Sequence, residues 1–284
     1  MKYKRCSDVD VAFIHKAFLN GYSDYAIPMN IPMDQFFERF FGQEGNSLED
    51  SFIAFDNGDP IGLVLGGIRT YDGYKNLRCG TLCVKREYRG KGVSQELFRL
   101  FIDNGIRQQC ERLSLEVLSD NYRAIRFYEK LGYKKAHKLI YFSHALDVNS
   151  SKFNRLNCKI KIKEDDLSVA AEVRENIITT HINWQNEVDY FMKDHNARCF
   201  TAYVGKSIVG TLVITNSGKI YFLFVNEEER RKAIASSLLS HSINQLNLQK
   251  LKISMPDNID IAEFLRKIGF EKETVEQYEM YKFI

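Results

Sequence analysis

The chain has 284 residues, 44% of them hydrophobic, and 40 Lys and Arg against 37 Asp and Glu leave a net charge of +3. That length suits two ordinary domains with well-formed cores, and so small a charge excess carries no bulk signature of a nucleic-acid or membrane partner. No stretch approaches the ~20 apolar residues of a bilayer span, Met1 to Ser7 has no apolar signal-peptide core, and the six cysteines form no CxxC pair; the expectation is a cytoplasmic protein with reduced thiols, no metal site and no disulfide framework.

Taken in order, the sequence predicts a short strand from Lys2 to Cys6, helical stretches interrupted at Gly21 to Met29, and a hairpin from Asp50 to Ile68. A polar tip, Arg69-Thr70-Tyr71-Asp72-Gly73-Tyr74, follows. The break and the tip suit pocket walls: Tyr22, Asp24, Tyr25 and Asp72 offer charge and ring faces to a cation. Each equally suits a turn or the edge of a core.

From Leu82 to Leu97 a strand-like run breaks into Arg89-Gly90-Lys91-Gly92-Val93-Ser94 and re-forms as an amphipathic helix. Glycines at 90 and 92 allow a tight turn that aims successive N–H groups at one centre, and a helix starting near Val93 adds its positive end. Arg89 and Lys91 add full charges for a dianionic group. Two glycines in a strand-to-helix turn also occur for steric reasons alone. About thirty residues on, a second strand, Leu113 to Val117, runs through the polar break Ser119-Asp120-Asn121 into a helix from Arg123 to Leu131, carrying Ala124, Phe127-Tyr128 and Leu131-Gly132-Tyr133.

With these two spaced motifs, residues 1 to 145 resemble the GNAT family, the GCN5-related N-acetyltransferases. The loop matches the family's R/QxxGxG/A pattern except that Ser94 stands where Gly or Ala is usual. The resemblance implies transfer of an acetyl group from acetyl-CoA, without a metal, to an amine in a ternary complex. It assigns Arg89, Gly90, Lys91, Gly92, Val93 and Ser94 to the pyrophosphate. The backbones of Leu82, Cys83 and Val84 fall to the pantetheine arm, and Asn121, Ala124 and Tyr128 lie near the thioester. Tyr128 then serves as general acid, since a phenol with a pKa near 10 can protonate a departing thiolate; its alternative is an amphipathic-helix residue with its hydroxyl at the surface. Asn121 suits an amide or water bridge and equally a helix N-cap. Glu116, between apolar neighbours on its strand, is either a base on the cleft side or a solvated carboxylate. His15, His137 and His144 are further titratable candidates.

The second half repeats the first. Val225 and Arg230 stand 141 residues after Val84 and Arg89; Asn258, Phe264, Lys267, Gly269 and Phe270 stand 137 after Asn121, Phe127, Lys130, Gly132 and Tyr133. A strand from Lys159 to Lys163 and a hairpin from Arg198 to Thr215 complete the parallel. Arg231 replaces Gly90, Ala233 replaces Gly92, and Leu265 replaces Tyr128, so added Cβ atoms obstruct a pyrophosphate and no phenol remains.

The fold expected is α/β: two tandem GNAT-like domains, each a mixed, mostly antiparallel twisted sheet flanked by helices. The catalytic domain spans 1–146, a polar linker 147–157, and a degenerate copy 158–284. The function expected is an acetyl-CoA-dependent N-acetyltransferase acting on a small-molecule or amino-acid-like amine, as a monomer or homodimer. The alternatives are a non-catalytic acyl-CoA sensor and a protein or peptide N-acetyltransferase.

Overall fold

The structure, a computed structural model, describes residues 1–24, 29–146, 159–177 and 180–284; Tyr25 and the expected linker lie outside them. The first half runs β1 (Lys2–Arg5), α1 (Val11–Tyr22), α2 (Met33–Phe37), which continues into a π-helical turn (Glu38–Gln43), β2 (Ser47–Asp56), β3 (Asp59–Tyr71), β4 (Tyr74–Val84), α3 (Val93–Arg107), β5 (Arg112–Leu118), α4 (Tyr122–Lys130) and β6 (Lys134–Ala145). The second runs β7 (Lys161–Asp165), α5 (Leu167–Glu175), α6 (Val188–Phe191), β8 (Ala197–Val204), β9 (Ser207–Thr215), β10 (Lys219–Val225), α7 (Ile234–Leu246), β11 (Lys250–Pro256), α8 (Ile259–Lys267) and β12 (Glu271–Phe283). Both halves have the expected mixed α/β character and mostly antiparallel pairing.

Capping explains where several helices begin. Asp10 accepts the Ala12 N–H at 2.8 Å ahead of α1, Asn121 that of Ala124 at 3.1 Å ahead of α4, and Asn258 that of Ile261 at 3.1 Å ahead of α8. Each satisfies an N–H that the first helical turn leaves without a partner.

Two compact units form: unit 1 comprises Met1–Val117, Asn121–Ala136 and Glu279–Ile284, and unit 2 comprises Leu118–Asp120 and His137–Tyr278. In unit 1, β1, β2, β3 and β4 pair antiparallel and β5 pairs parallel to β4. Strand β3 is buried over most of its length, as a strand covered on both faces must be. Leu63 and Leu65 pack with Phe18, Phe36 and Phe40, while at Gly62, on the opposite face, Val93 and Leu97 of α3 approach within 3.1 Å of where a Cβ would stand. Alternation along the strand thus separates an α1 face from an α3 face. Unit 2 has its own core, in which Phe200, Leu212, Ile214, Leu238 and Leu251 are fully buried.

The units and the sequence repeats differ at their last strands. From His137 onward β6 belongs to unit 2, where it pairs antiparallel with β11 from Leu139↔Pro256 to Ala145↔Lys250 and sends Ile140 and Phe142 into that core. The chain's last residues, Glu279–Ile284, belong instead to unit 1, beside β5, with the Ile284 N–H donating to the Glu111 carbonyl at 3.1 Å. Met280 and Tyr281 are buried there.

A chain ending at Tyr278 therefore loses the buried Glu279 and, with Met280 and Tyr281, two buried apolar side chains of unit 1 worth about 2–5 kcal/mol apiece. The expected result is a lower denaturation midpoint with amide exchange accelerated across Arg112–Val117; protection in β5 equal to that of the full chain would contradict this.

Candidate active site

The parallel ladder between β4 and β5 is short: Asn76–Cys79 pair with Arg112–Leu115 and the pairing then stops. At that point β4 is bulged, for Thr81 faces Leu65 and Cys79 faces Gly66, leaving Gly80 without a partner across the ladder. Glycine is required there because a Cβ would stand 2.2 Å from Oδ1 of Asn46, whose amide donates to the Phe40 carbonyl at 2.7 Å. Beyond the bulge Thr81–Val84 and Glu116–Leu118 diverge. Thr81, Cys83 and Val84 are all under 10% exposed, so main-chain groups on this edge are shielded from water without a strand to pair with.

Past β4 the Lys85 N–H bonds the Ile61 carbonyl at 2.8 Å, and a 3-10 turn at Arg86–Tyr88 leads into the glycine loop. Gly90 has φ +78° and Gly92, at the N-terminus of α3, has φ +84°, a region that side chains disfavour. No protein atom lies within 4 Å of a Cβ built on Gly90, and only Oε1 of Gln95, at 3.8 Å, meets one on Gly92. The loop thus has open space beside its glycines and lies at the N-terminus of α3, whose first N–H groups lack intrahelical partners.

The expected site residues take the following places. Arg89 braces the loop: Nε donates to the Val84 carbonyl at 2.9 Å, Nη1 and Nη2 to the Asp24 carboxylate at 2.8 and 2.6 Å, and Nη2 also to the Gly21 carbonyl at 3.1 Å. Arg89 thereby joins Asp24 to the loop, and its hydrogen bonds hold the Asp24 carboxyl below the usual carboxylate range. Lys91 lies 5.2 Å from the ring centre of Tyr88. Val93 is buried as the first residue of α3, and Ser94 and Leu82 are half-buried. Cys83 packs against Gly21, and burial pushes its thiol up to about 12, a structural thiol and no nucleophile. The Tyr22 hydroxyl hydrogen-bonds that of Thr81 on β4. Asp72, at φ +50° in the β3–β4 turn, accepts from Arg112 at 3.2 Å.

Asn121 caps α4 through the Ala124 N–H, and one helical face beyond it carries Tyr128. Tyr128 is 8% exposed and packs on Phe98, Phe127 and Tyr133 at ring-centre distances of 5.3, 5.3 and 6.0 Å. Among the histidines, His15 hydrogen-bonds the Ile31 carbonyl at 2.8 Å in unit 1, whereas His137 and His144 belong to unit 2.

On the α1 face, at the level where the ladder ends, lies a buried charged cluster. Arg78 of β4 contacts Glu116 at 2.5 Å and Glu44 at 2.8 Å, every partner under 10% exposed. Burial raises the Glu116 pKa first of all; Arg78 opposes this, and Glu279 and Glu44 add to it. Glu279 accepts from Tyr71 at 2.9 Å, and Arg112, bound to Asn76, Asp72 and the Tyr71 carbonyl, lies 4.3 Å from the Tyr281 ring centre. Arg78, Glu44 and Glu279 escape the sequence reading. An arginine inside an apolar strand signals Arg78, but no local pattern signals Glu279.

Unit 2 repeats this design with altered chemistry. Its β10 and β11 pair parallel only at Lys219↔Lys252 and Ile220↔Ile253. Just beyond, Asn186 donates to the Ser254 carbonyl at 2.6 Å, with Trp184 of the same turn 1% exposed. Its loop keeps the left-handed backbone without the glycines, Arg231 at φ +65° and Ala233 at φ +60°. The position of Tyr128 is taken by Leu265, 1% exposed.

Family comparisons agree with this geometry. The family model described as "Acetyltransferase (GNAT) family" matches residues 16–133, and "Acetyltransferase (GNAT) domain" matches 163–281. The chain belongs to the GNAT acetyltransferase family. It is 28% identical over 117 residues to N-alpha-acetyltransferase 30 of Dictyostelium discoideum, covering 41% of this chain and 62% of that protein. To the protein of the same name from Saccharomyces cerevisiae it is 32% identical over 94 residues, covering 30% and 52%. The chain thus spans between half and two-thirds of these two relatives. Solved structures share the GNAT fold: a tandem GNAT protein from the clavulanic acid biosynthesis pathway (TM-score 0.71, 12% identity, 99% of this chain and 98% of that one), and a GCN5-related N-acetyltransferase from Sphaerobacter thermophilus (TM-score 0.70, 13% identity, 99% and 95%). Among the described residues, no helix is long and apolar enough to cross a membrane, and no His, Cys, Asp and Glu side chains cluster as a metal site would require.

The two loops make opposite predictions for stability. Gly92→Ala places a side chain in a left-handed conformation and costs about 1 kcal/mol, whereas Ala233→Gly relieves such strain and is neutral to stabilising. Equilibrium denaturation of the two variants checks this; equal destabilisation by both would contradict it.

Proposed function

We propose that unit 1 is an acetyl-CoA-dependent N-acetyltransferase acting on a primary amine, and that unit 2 carries no second active site. The observation that carries this is the coincidence, in one unit, of the open ladder beside β4, the glycine loop at the start of α3 and the buried Tyr128 on α4. GNAT fold proteins use acetyl-CoA, and the residues present fit it. The loop N–H groups from Gly90 to Ser94 hold its pyrophosphate, with Lys91 nearby, and the shielded edge of Leu82, Cys83 and Val84 pairs with an extended amide-bearing arm as an added strand would.

When bound, acetyl-CoA supplies an acyl group activated as a thioester. Asn121 and Ala124, at the start of α4, border the thioester end. Glu116 accepts the proton that the acceptor ammonium must lose before its nitrogen lone pair can attack. Tyr128 donates its phenolic proton to the sulfur as the carbon–sulfur bond breaks and regains one from the nitrogen as the amide forms. Arg89 and Asp24 act indirectly, by fixing the loop against α1.

The acceptor class we favour is the α-amine at a polypeptide N-terminus, because the curated relatives matched are N-alpha-acetyltransferases. Small amino-acid-like amines, the class the sequence pointed to first, present the same nucleophile and belong in the same screen. Tyr22 and Asp72 remain candidates for its walls.

The experiment is thiol release from acetyl-CoA with synthetic peptides bearing free N-termini, polyamines, aminoglycosides and amino acids. Turnover with a free-amine acceptor is expected, and Tyr128→Phe lowers kcat about 100-fold while leaving CoA affinity unchanged. CoA binding without thiol release for any acceptor would favour a sensor instead. Because burial raises the Glu116 pKa, the acidic limb of kcat/KM is expected above the ordinary glutamate range, activity rising with pH as Glu116 ionises. A limb at or below that range would contradict the base assignment.

A further inference from the structure

We propose that Arg78 is a positioning residue for Glu116, and that Glu279, delivered by the last strand of the chain, works against it to set when Glu116 can take a proton. This rests on the reading of Glu116 as the base of the transfer. Glu116 is the first β5 residue beyond the paired ladder, and Arg78 stands one position before its end on β4. The guanidinium grips Oε2 of Glu116 with one nitrogen and Glu44 with the other. Nη2 hydrogen-bonds Oε2 of Glu116 and orients that carboxylate toward β4, while the ion pair of Nη1 with Glu44 holds the guanidinium on its other side.

The groups that act on Glu116 come from every element around it: Arg78 from β4, Glu44 from the turn after α2, and Glu279 from β12, itself held by the Tyr71 hydroxyl at 2.9 Å. Cys79, also on β4, lies within electrostatic range. Two buried carboxylates thus share one guanidinium, and the third, buried on β12 beside β5 and held by Tyr71, acts on Glu116 through space with little water to screen it. A base must lose its proton to bulk between turnovers and regain one from the acceptor. Arg78 favours the charged form, and Glu44 and Glu279 favour the neutral one. Glu279 lies 163 residues beyond Glu116 in the chain, in the second sequence repeat, yet belongs to unit 1. By this route the second repeat contributes to the chemistry of the first without an active site of its own.

The test measures the carboxyl-carbon titration of Glu116 in protein labelled with 13Cδ-glutamate, the signal being assigned by its loss in Glu116→Gln. The acidic limb of kcat/KM is recorded in parallel, with acetyl-CoA and a synthetic free-amine peptide, or with the small amine that releases thiol if no peptide does. Arg78→Gln is expected to raise both midpoints by about one to two pH units, and Glu44→Gln and Glu279→Gln to lower them. Opposite signs are something that loss of folding or of packing does not produce. The near-isosteric glutamine variants keep the test usable should Arg78→Gln fail to fold. If the variants leave both midpoints in place while Glu116→Gln abolishes turnover, the positioning proposal alone fails. If Glu116→Gln keeps the full rate, the base reading fails and the positioning proposal falls with it.

Discussion

A parallel ladder that stops after four residues governs everything else in unit 1. Had β4 and β5 remained paired to their ends, the main chain from Thr81 to Val84 would have its partner in β5. The pairing ends instead where β4 bulges at Gly80, a position that the close approach of Asn46 restricts to glycine. Buried N–H and C=O groups without a strand opposite them are costly to leave unsatisfied. Local donors settle part of the demand: Arg89 serves the Val84 carbonyl and the Cys79 thiol that of Thr81. The remainder suits an extended ligand, and the loop that could hold its anionic end starts directly where β4 finishes.

The second repeat shows which parts of this arrangement belong to the fold and which to the chemistry. It retains the short parallel ladder, the left-handed loop and the asparagine cap of the following helix, all features the backbone needs in order to turn from strand to helix. What it lacks are the loop glycines and the phenol of the first repeat. Arg231 and Ala233 hold conformations in which glycine is more comfortable, at a strain of about 1 kcal/mol each, and a leucine replaces the phenol. Retained shape with lost glycines is what remains when a loop's geometry is required by its neighbours and its ligand is not.

How much of this is legible in the sequence depends on distance along the chain. The glycine loop, the Asn121 cap and Tyr128 are local patterns of a few residues, and the repeat that aligns them with Asn258 and Leu265 is visible by inspection. Arg89 was legible as a loop residue but not as the brace to Asp24, since a charged side chain at a loop is equally suited to a ligand or an acid 65 residues earlier. Glu116 illustrates the limit: alternation places it off the apolar face of β5, but the cluster that determines its charge combines Arg78, Glu44 and Glu279 from three other segments. The final strand was legible as a strand and as part of the second repeat. The membership of its last residues, Glu279–Ile284, in unit 1 was not, because an alternating pattern serves in either unit, and only packing selects between them.

The central claim is that one chain holds one acetyl-CoA site, in unit 1. Isothermal titration of the 284-residue protein with CoA tests it most directly. The account predicts one CoA per chain, with binding lost when Gly92 is replaced by valine and unchanged when Ala233 is. Two equivalents per chain, or binding that survives at Gly92 and fails at Ala233, would contradict it.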